Sequence, residues 1–130
     1  RDGVNAEELP RLWNDKMEEL LGIRPQNDAE GILQDMHWSD GSFGYFPTYL
    51  LGTIFDGMFL ETMEQELGSV DTLLSDGRIG EITGWLHEKI HKHGGMRTAA
   101  ETIREVCGQE MTAEPIIRYF KKKYTAIYGL

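Results

Sequence analysis

The chain has 130 residues, 40% hydrophobic and 27% charged, the make-up of one globular domain or a part of one rather than of a disordered chain. Its 13 lysines and arginines face 22 aspartates and glutamates, a formal net charge of −9, so nucleic acid and anionic membrane are disfavoured as partners: neutralising their phosphates needs a basic surface. No apolar run approaches the roughly 18 residues of a membrane span, the start Arg1-Asp2-Gly3 does not read as a signal peptide, and a single cysteine, Cys107, fits a reducing, cytoplasmic compartment. The chain lacks an initiator Met and opens in mid-phrase, so a piece of something longer is expected.

Apolar residues recur at helical spacing from the start. Leu9, Leu12, Trp13, Met17, Leu20 and Leu21 predict a first helix, with Pro10 in its first turn and Gly22 as a left-handed cap. Asp28 is placed to cap a short helix carrying Ile32 and Leu33. Met36 to Gly44 has no period and reads as a loop. The most apolar stretch, Pro47 to Leu67, reads as a buried helix with Tyr49, Leu50, Ile54, Phe55, Met58, Phe59, Met63 and Leu67, ending at Gly68.

A short helix from Ser69 and Asp71 to near Gly77 comes after it. The next carries the stripe Ile79, Ile82, Leu86, Ile90 and stops at Gly94-Gly95. Thr98 and Glu101 have capping-box spacing for a helix closing at Cys107-Gly108, where Cys107 reads as a small buried hydrophobe. Thr112 is expected to cap the last helix, with Pro115 in its first turn and Ile116, Ile117, Phe120, Tyr124 and Ile127 on its buried face. Lys121-Lys122-Lys123 on that helix reads as a solvated face that complements the negative helix end. No strand pattern, repeat or low-complexity linker appears, so the expected class is all-α.

Two groups of residues could carry chemistry. His87-Glu88-Lys89-Ile90-His91 is a formal HExxH. In zinc peptidases, histidines at i and i+4 share one helix face and a metal, and the glutamate activates the metal-bound water. Gly94 continues the longer HExxHxxGxxH pattern, but the third-ligand position is Arg97, a permanent cation. Both histidines also flank the apolar stripe, which favours ordinary helix histidines. The second group is the loop around His37, with Trp38, Tyr45 and Tyr49 nearby in sequence: polar donors among aromatic walls, as a binding cleft needs. Trp38, Phe43 and Phe46 serve equally well as core anchors, with His37 bonded to backbone.

The segment GILQDMHWSDGSFGYFPTYLLG resembles the GxxQDxHW signature and following tract of the carboxypeptidase Taq family, thermostable HExxH metallocarboxypeptidases. LPRLWNDKMEELLGIRPQNDAEG before it, and WLHEKIHKHGG with the Pro115 to Tyr124 helix after it, are similar to the same family. The resemblance covers essentially residues 1–130 as one C-terminal segment of a much longer, helical, zincin-like peptidase. It implies that the catalytic HExxH and the glutamate third ligand lie upstream. HEKIH falls where members show only a WLxxxIH-like pattern.

No metal ligand is therefore assigned to this chain. A divalent metal, zinc or cobalt, is expected in the full-length enzyme and none in this chain. The resemblance further implies removal of single residues from peptide C-termini with broad specificity, a homodimer when full length, and partnership with the missing N-terminal portion. In the cleft wall, His37 and Tyr45 are expected to be catalytic, as electrophiles toward the peptide carbonyl, by analogy with related helical HExxH peptidases. Gln34, Asp35, Trp38 and Tyr49 are expected to bind substrate or hold the loop. The rival readings are a small zinc peptidase using His87, Glu88 and His91, and a helical interaction module without catalysis.

Overall fold

The computed structural model describes residues 3–130; Arg1 and Asp2 of the charged start lie outside the described residues. Among these, every regular element is helical and no strand occurs, as the periodicity predicts. The helices are α1 (Leu9–Leu21), α2 (Thr48–Leu67), α3 (Val70–Ser75), α4 (Ile79–Lys89), α5 (Ala99–Cys107) and α6 (Glu114–Tyr128), joined by turns that include short 3₁₀ segments. Among the described residues no helix is long and apolar enough to cross a membrane. The chain forms two compact units, Arg1–Pro47 and Thr48–Leu130.

In the first unit, α1 obeys the local chemistry of its ends. Pro10 sits in the first turn, and Gly22 closes the helix at φ 68°, donating its N–H to the Glu18 carbonyl at 3.0 Å, a left-handed position that glycine occupies without Cβ strain. Leu9, Leu12, Trp13 and Met17 line an apolar cavity of about 440 Å³ with Ile32 and Trp38. The segment after α1 departs from expectation. Asn27, not Asp28, makes the capping contact, its Oδ1 accepting from the Glu30 N–H at 3.1 Å. The chain then makes a single 3₁₀ turn, Ile32–Gln34, with Ile32 buried and Leu33 exposed.

In the second unit, Met63, Trp85 and Val106 form the centre of a core joined by Phe59, Leu67, Val70, Ile82, Leu86, Ile90 and Cys107. Burial pushes the half-buried Cys107 thiol up from its ordinary range. Ser69 caps α3 by accepting the Thr72 N–H. Thr98 and Glu101 make the reciprocal capping box on α5, 2.7 Å and 3.3 Å in the two directions. At α6 the expected cap moves by one residue: Ala113, not Thr112, is the N-cap and offers no side-chain cap, while Thr112 Oγ1 accepts from the Glu114 N–H at 3.3 Å.

The packing corrects three expectations. First, the early part of α2 is not a core helix: Tyr49, Leu50 and Leu51 are exposed, and burial is confined to Gly57, Met58 and Met63. Second, on α6 only Pro115 and Ile116 are buried, while Ile117, Phe120, Tyr124 and Ile127 are exposed. The rotation of α6 explains this, because Ile116 packs on Gly57 and Arg118 grips the Glu61 carboxylate with two nitrogens at 2.9 Å and 3.1 Å. That register turns the 117-120-124-127 stripe away from α2. Lys121, Lys122 and Lys123 are exposed, but the last turn of α6 carries no basic residue, so they do not cap its negative end. Third, α4 stops at Lys89. Ile90 packs on the core in a non-helical conformation (φ −125°, ψ −62°) and the chain continues as a 3₁₀ coil, His91–Met96.

Trp85, buried on α4, donates its indole N–H to Glu66 at 2.8 Å, and Lys89 pairs with the same carboxylate at 2.9 Å. The Lys89 ammonium and then the Trp85 indole hold the Glu66 carboxyl below its usual value of 4.5. A group depressed by folding contributes stability that is complete above its unfolded value and is lost as pH falls through the folded one. The unit should therefore lose stability on acidification below about pH 4.5, and Glu66→Gln should flatten that acid limb. Melting temperatures of both proteins between pH 3 and 7 check this.

Candidate functional site

The loop after α1 is more ordered than its lack of period suggests: Met36–Asp40 is a 3₁₀ turn, with Asp35 as its N-cap and Gly41 closing it at φ 85°. Asp35 is buried, with 7% of its surface exposed. Its Oδ1 accepts the His37 backbone N–H at 3.3 Å and stands at hydrogen-bond distance, 2.8 Å, from the His37 ring Nδ1. A buried carboxylate is tolerated when paired and hydrogen-bonded, and His37 supplies both contacts.

Aromatic rings frame the imidazole. Tyr45 lies 5.0 Å and Phe46 5.5 Å from His37, centroid to centroid, at tilted angles. Trp38 packs on Phe43 at 5.7 Å and, half-buried, also lines the α1 cavity. Phe43 and Phe46 are exposed rather than core anchors. Gln34 donates its amide N–H to the Ala29 carbonyl and so ties the loop to the preceding turn. The Ser42 hydroxyl and backbone N–H hold the exposed Asp40 carboxyl below its ordinary range.

Gly31, the first residue of the signature, has a reason the sequence did not reveal. A Cβ there would stand 2.9 Å from Asn14 Oδ1 and 3.2 Å from the Asn27 carbonyl, so any larger residue has to displace the Asn14 amide and crowd the Asn27 backbone. The structure thus brings Asp35, His37, Tyr45 and Phe46 together, with Gln34 and Trp38 in the same segment. Tyr49 belongs to the second unit, exposed on the first turn of α2, where its carbonyl accepts the Thr53 hydroxyl at 3.2 Å.

The HEKIH residues are arranged differently from a zinc helix. His87 is exposed on α4 and His91 lies past its end, on the 3₁₀ coil. Glu88 is engaged by Lys92, whose ammonium also lowers its pKa. Among the described residues no group of three or more His, Cys, Asp or Glu is placed to hold a metal ion, so no catalytic step is assigned to a metal held by this chain. Dialysis against zinc and then buffer should leave no stoichiometric metal by elemental analysis. One tightly held zinc, lost in His91→Ala, would contradict that.

The sequence profile of the carboxypeptidase Taq (M32) metallopeptidases matches residues 1–124, and the chain belongs to that family. It is 43% identical over 127 residues to Carboxypeptidase 1 of Bacillus subtilis, covering 98% of this chain and 25% of that protein. The solved structure of Pyrococcus furiosus carboxypeptidase (Apo-Mg) superposes with a TM-score of 0.89 at 40% identity, over 95% of this chain and 25% of that one. The M32 carboxypeptidase of Deinococcus radiodurans gives 0.90 at 30% identity, over 98% and 26%. The chain spans about a quarter of the length of these relatives and corresponds to the C-terminal part of such enzymes.

Proposed function

We propose that this chain supplies one wall of the substrate cleft in a metal-dependent carboxypeptidase that releases single amino acids from peptide C-termini with broad specificity. The observation that carries the reading is the turn in which a buried Asp35 holds His37 beside Tyr45, inside the segment matched by the family profile. Attack on a peptide carbonyl places negative charge on its oxygen, and donors already aimed at that oxygen lower the barrier without reorganising. An imidazole N–H and a phenol O–H are such donors, so His37 and Tyr45 take the electrophilic role. Gln34, Asp35, Trp38 and Tyr49 take the substrate-binding and loop-holding roles.

The metal, zinc or cobalt in this reading, supplies the activated water and is held by the part of the enzyme that this chain does not contain. Peptides are the substrates, the cell compartment is the cytoplasm, and the complete enzyme is a homodimer. The exposed apolar stripe of α6 and the early turns of α2 support a chain built to be covered by more protein, since large contiguous apolar surfaces mark interaction sites.

The test compares this chain with the complete enzyme on short peptides. The complete enzyme should release C-terminal amino acids and lose that activity to a chelator, while the 130-residue chain alone should release none, because the metal and its activated water account for much of the rate enhancement. Chelator-sensitive release by the chain alone, or none by the complete enzyme, would refute the reading.

A further inference from the structure

We propose that Asp35 is a positioning residue, which fixes the orientation of the His37 ring by holding its Nδ1, so that the imidazole works on substrate through Nε2. This rests on the reading of His37 as an electrophile. One carboxylate oxygen, Oδ1, receives both the backbone N–H of His37 and its ring Nδ1. A carboxylate only accepts, so the ring nitrogen that meets it carries a proton. With Nδ1 engaged by the carboxylate, the atom through which the ring acts on substrate is Nε2.

The carboxylate is itself held in place. Asp35 is the N-cap of the Met36–Asp40 turn, and it is buried. Tyr45 and Phe46 pack on the imidazole and limit its rotation about the Asp35 contact. Donation from Nε2 to a developing oxyanion while Nδ1 donates to Asp35 makes the working form the imidazolium, whose positive charge the carboxylate balances. Asp35 thus acts through His37 and need not touch the substrate.

A double-mutant cycle in the complete enzyme tests this, with Asp35→Ala and Asp35→Asn each made beside His37 and beside His37→Ala, and kcat as the readout. With His37 present, Asp35→Ala should lower kcat by about 10- to 100-fold, the scale seen when the partner orienting a functional histidine is removed. Asp35→Asn should cost about three- to tenfold, because its Oδ1 keeps both acceptor contacts and loses only the charge. In the His37→Ala background both changes should alter kcat by less than about twofold. A loss of the same factor in both backgrounds, or no loss beside His37, overturns the proposal. If Asp35→Ala does not fold, the Asp35→Asn pair decides alone by the same criterion. Normal turnover in His37→Ala itself would instead remove the reading of His37 on which the proposal stands.

Discussion

In the complete enzyme, His37→Ala and Tyr45→Phe should each lower kcat by about 10²- to 10³-fold, the scale of losing one oxyanion donor, while metal content stays unchanged. Each change removes a donor that gains strength only as charge develops on the carbonyl oxygen, so the loss belongs in kcat more than in KM. A packing role predicts the opposite pattern. Tyr45 is half exposed, so its hydroxyl is worth at most about 1 kcal/mol of stability, and its removal would lower the melting point slightly and leave turnover intact. Steady-state kinetics and a melting curve on each variant separate the two. Normal turnover with a lowered melting point would end the catalytic assignment.

The largest expected stability effect lies at the crossing of α2 and α6. A Cβ on Gly57 would stand 2.6 Å from Ile116 Cβ, 2.7 Å from its backbone nitrogen and 2.8 Å from its Cα. Backbone atoms cannot step aside by changing rotamer, so Gly57→Ala has to push the two helices apart. That separation unpacks Met58 and Ile116, both buried, and loosens the Glu61–Arg118 pair. Overpacking typically costs about 1–3 kcal/mol and occasionally more; with backbone on both sides of the clash, a loss of about 3 kcal/mol is expected, or some 12 °C or more in melting temperature for a unit of this size. Gly84→Ala on α4, where a Cβ would meet nothing within 4 Å, is the control and should stabilise by about 0.5–1 kcal/mol. Thermal melts of the two variants of this chain check the contrast, and a Gly57→Ala protein that melts like the parent would contradict the close crossing.

Features set by neighbours in sequence were legible before the fold was known. Gly22, the Thr98–Glu101 box and Gly108 act within a turn of their own position, so the residue type alone places the helix end. Features set by another helix were not. The apolar positions on α6 outnumber those one neighbour can cover, and which of them is buried depends on the Gly57–Ile116 crossing, a contact that periodicity cannot rank. Trp85 was legible in principle, three positions after Ile82 at helical spacing, but its partner Glu66 on α2 was not.

The site divides in the same way. The residue types around His37 marked the segment as chemically loaded. The absence of period concealed a 3₁₀ turn in which a carboxylate two positions earlier folds over the imidazole. Nothing in the spacing revealed that Gly31 is crowded by the Asn14 side chain of α1. HEKIH shows the converse: a correct motif by letter, undone because the helix ends between its two histidines.

The most direct test of the central claim, that the His37–Tyr45 turn faces the reacting carbonyl, is a crystal structure of the complete enzyme with a phosphinic peptide whose tetrahedral phosphorus mimics the addition intermediate. The account predicts that one phosphinyl oxygen accepts hydrogen bonds from His37 Nε2 and Tyr45 Oη at about 2.7–3.1 Å. A phosphinyl group bound with both side chains well outside hydrogen-bond reach, roughly 3.5 Å or more away, would contradict it.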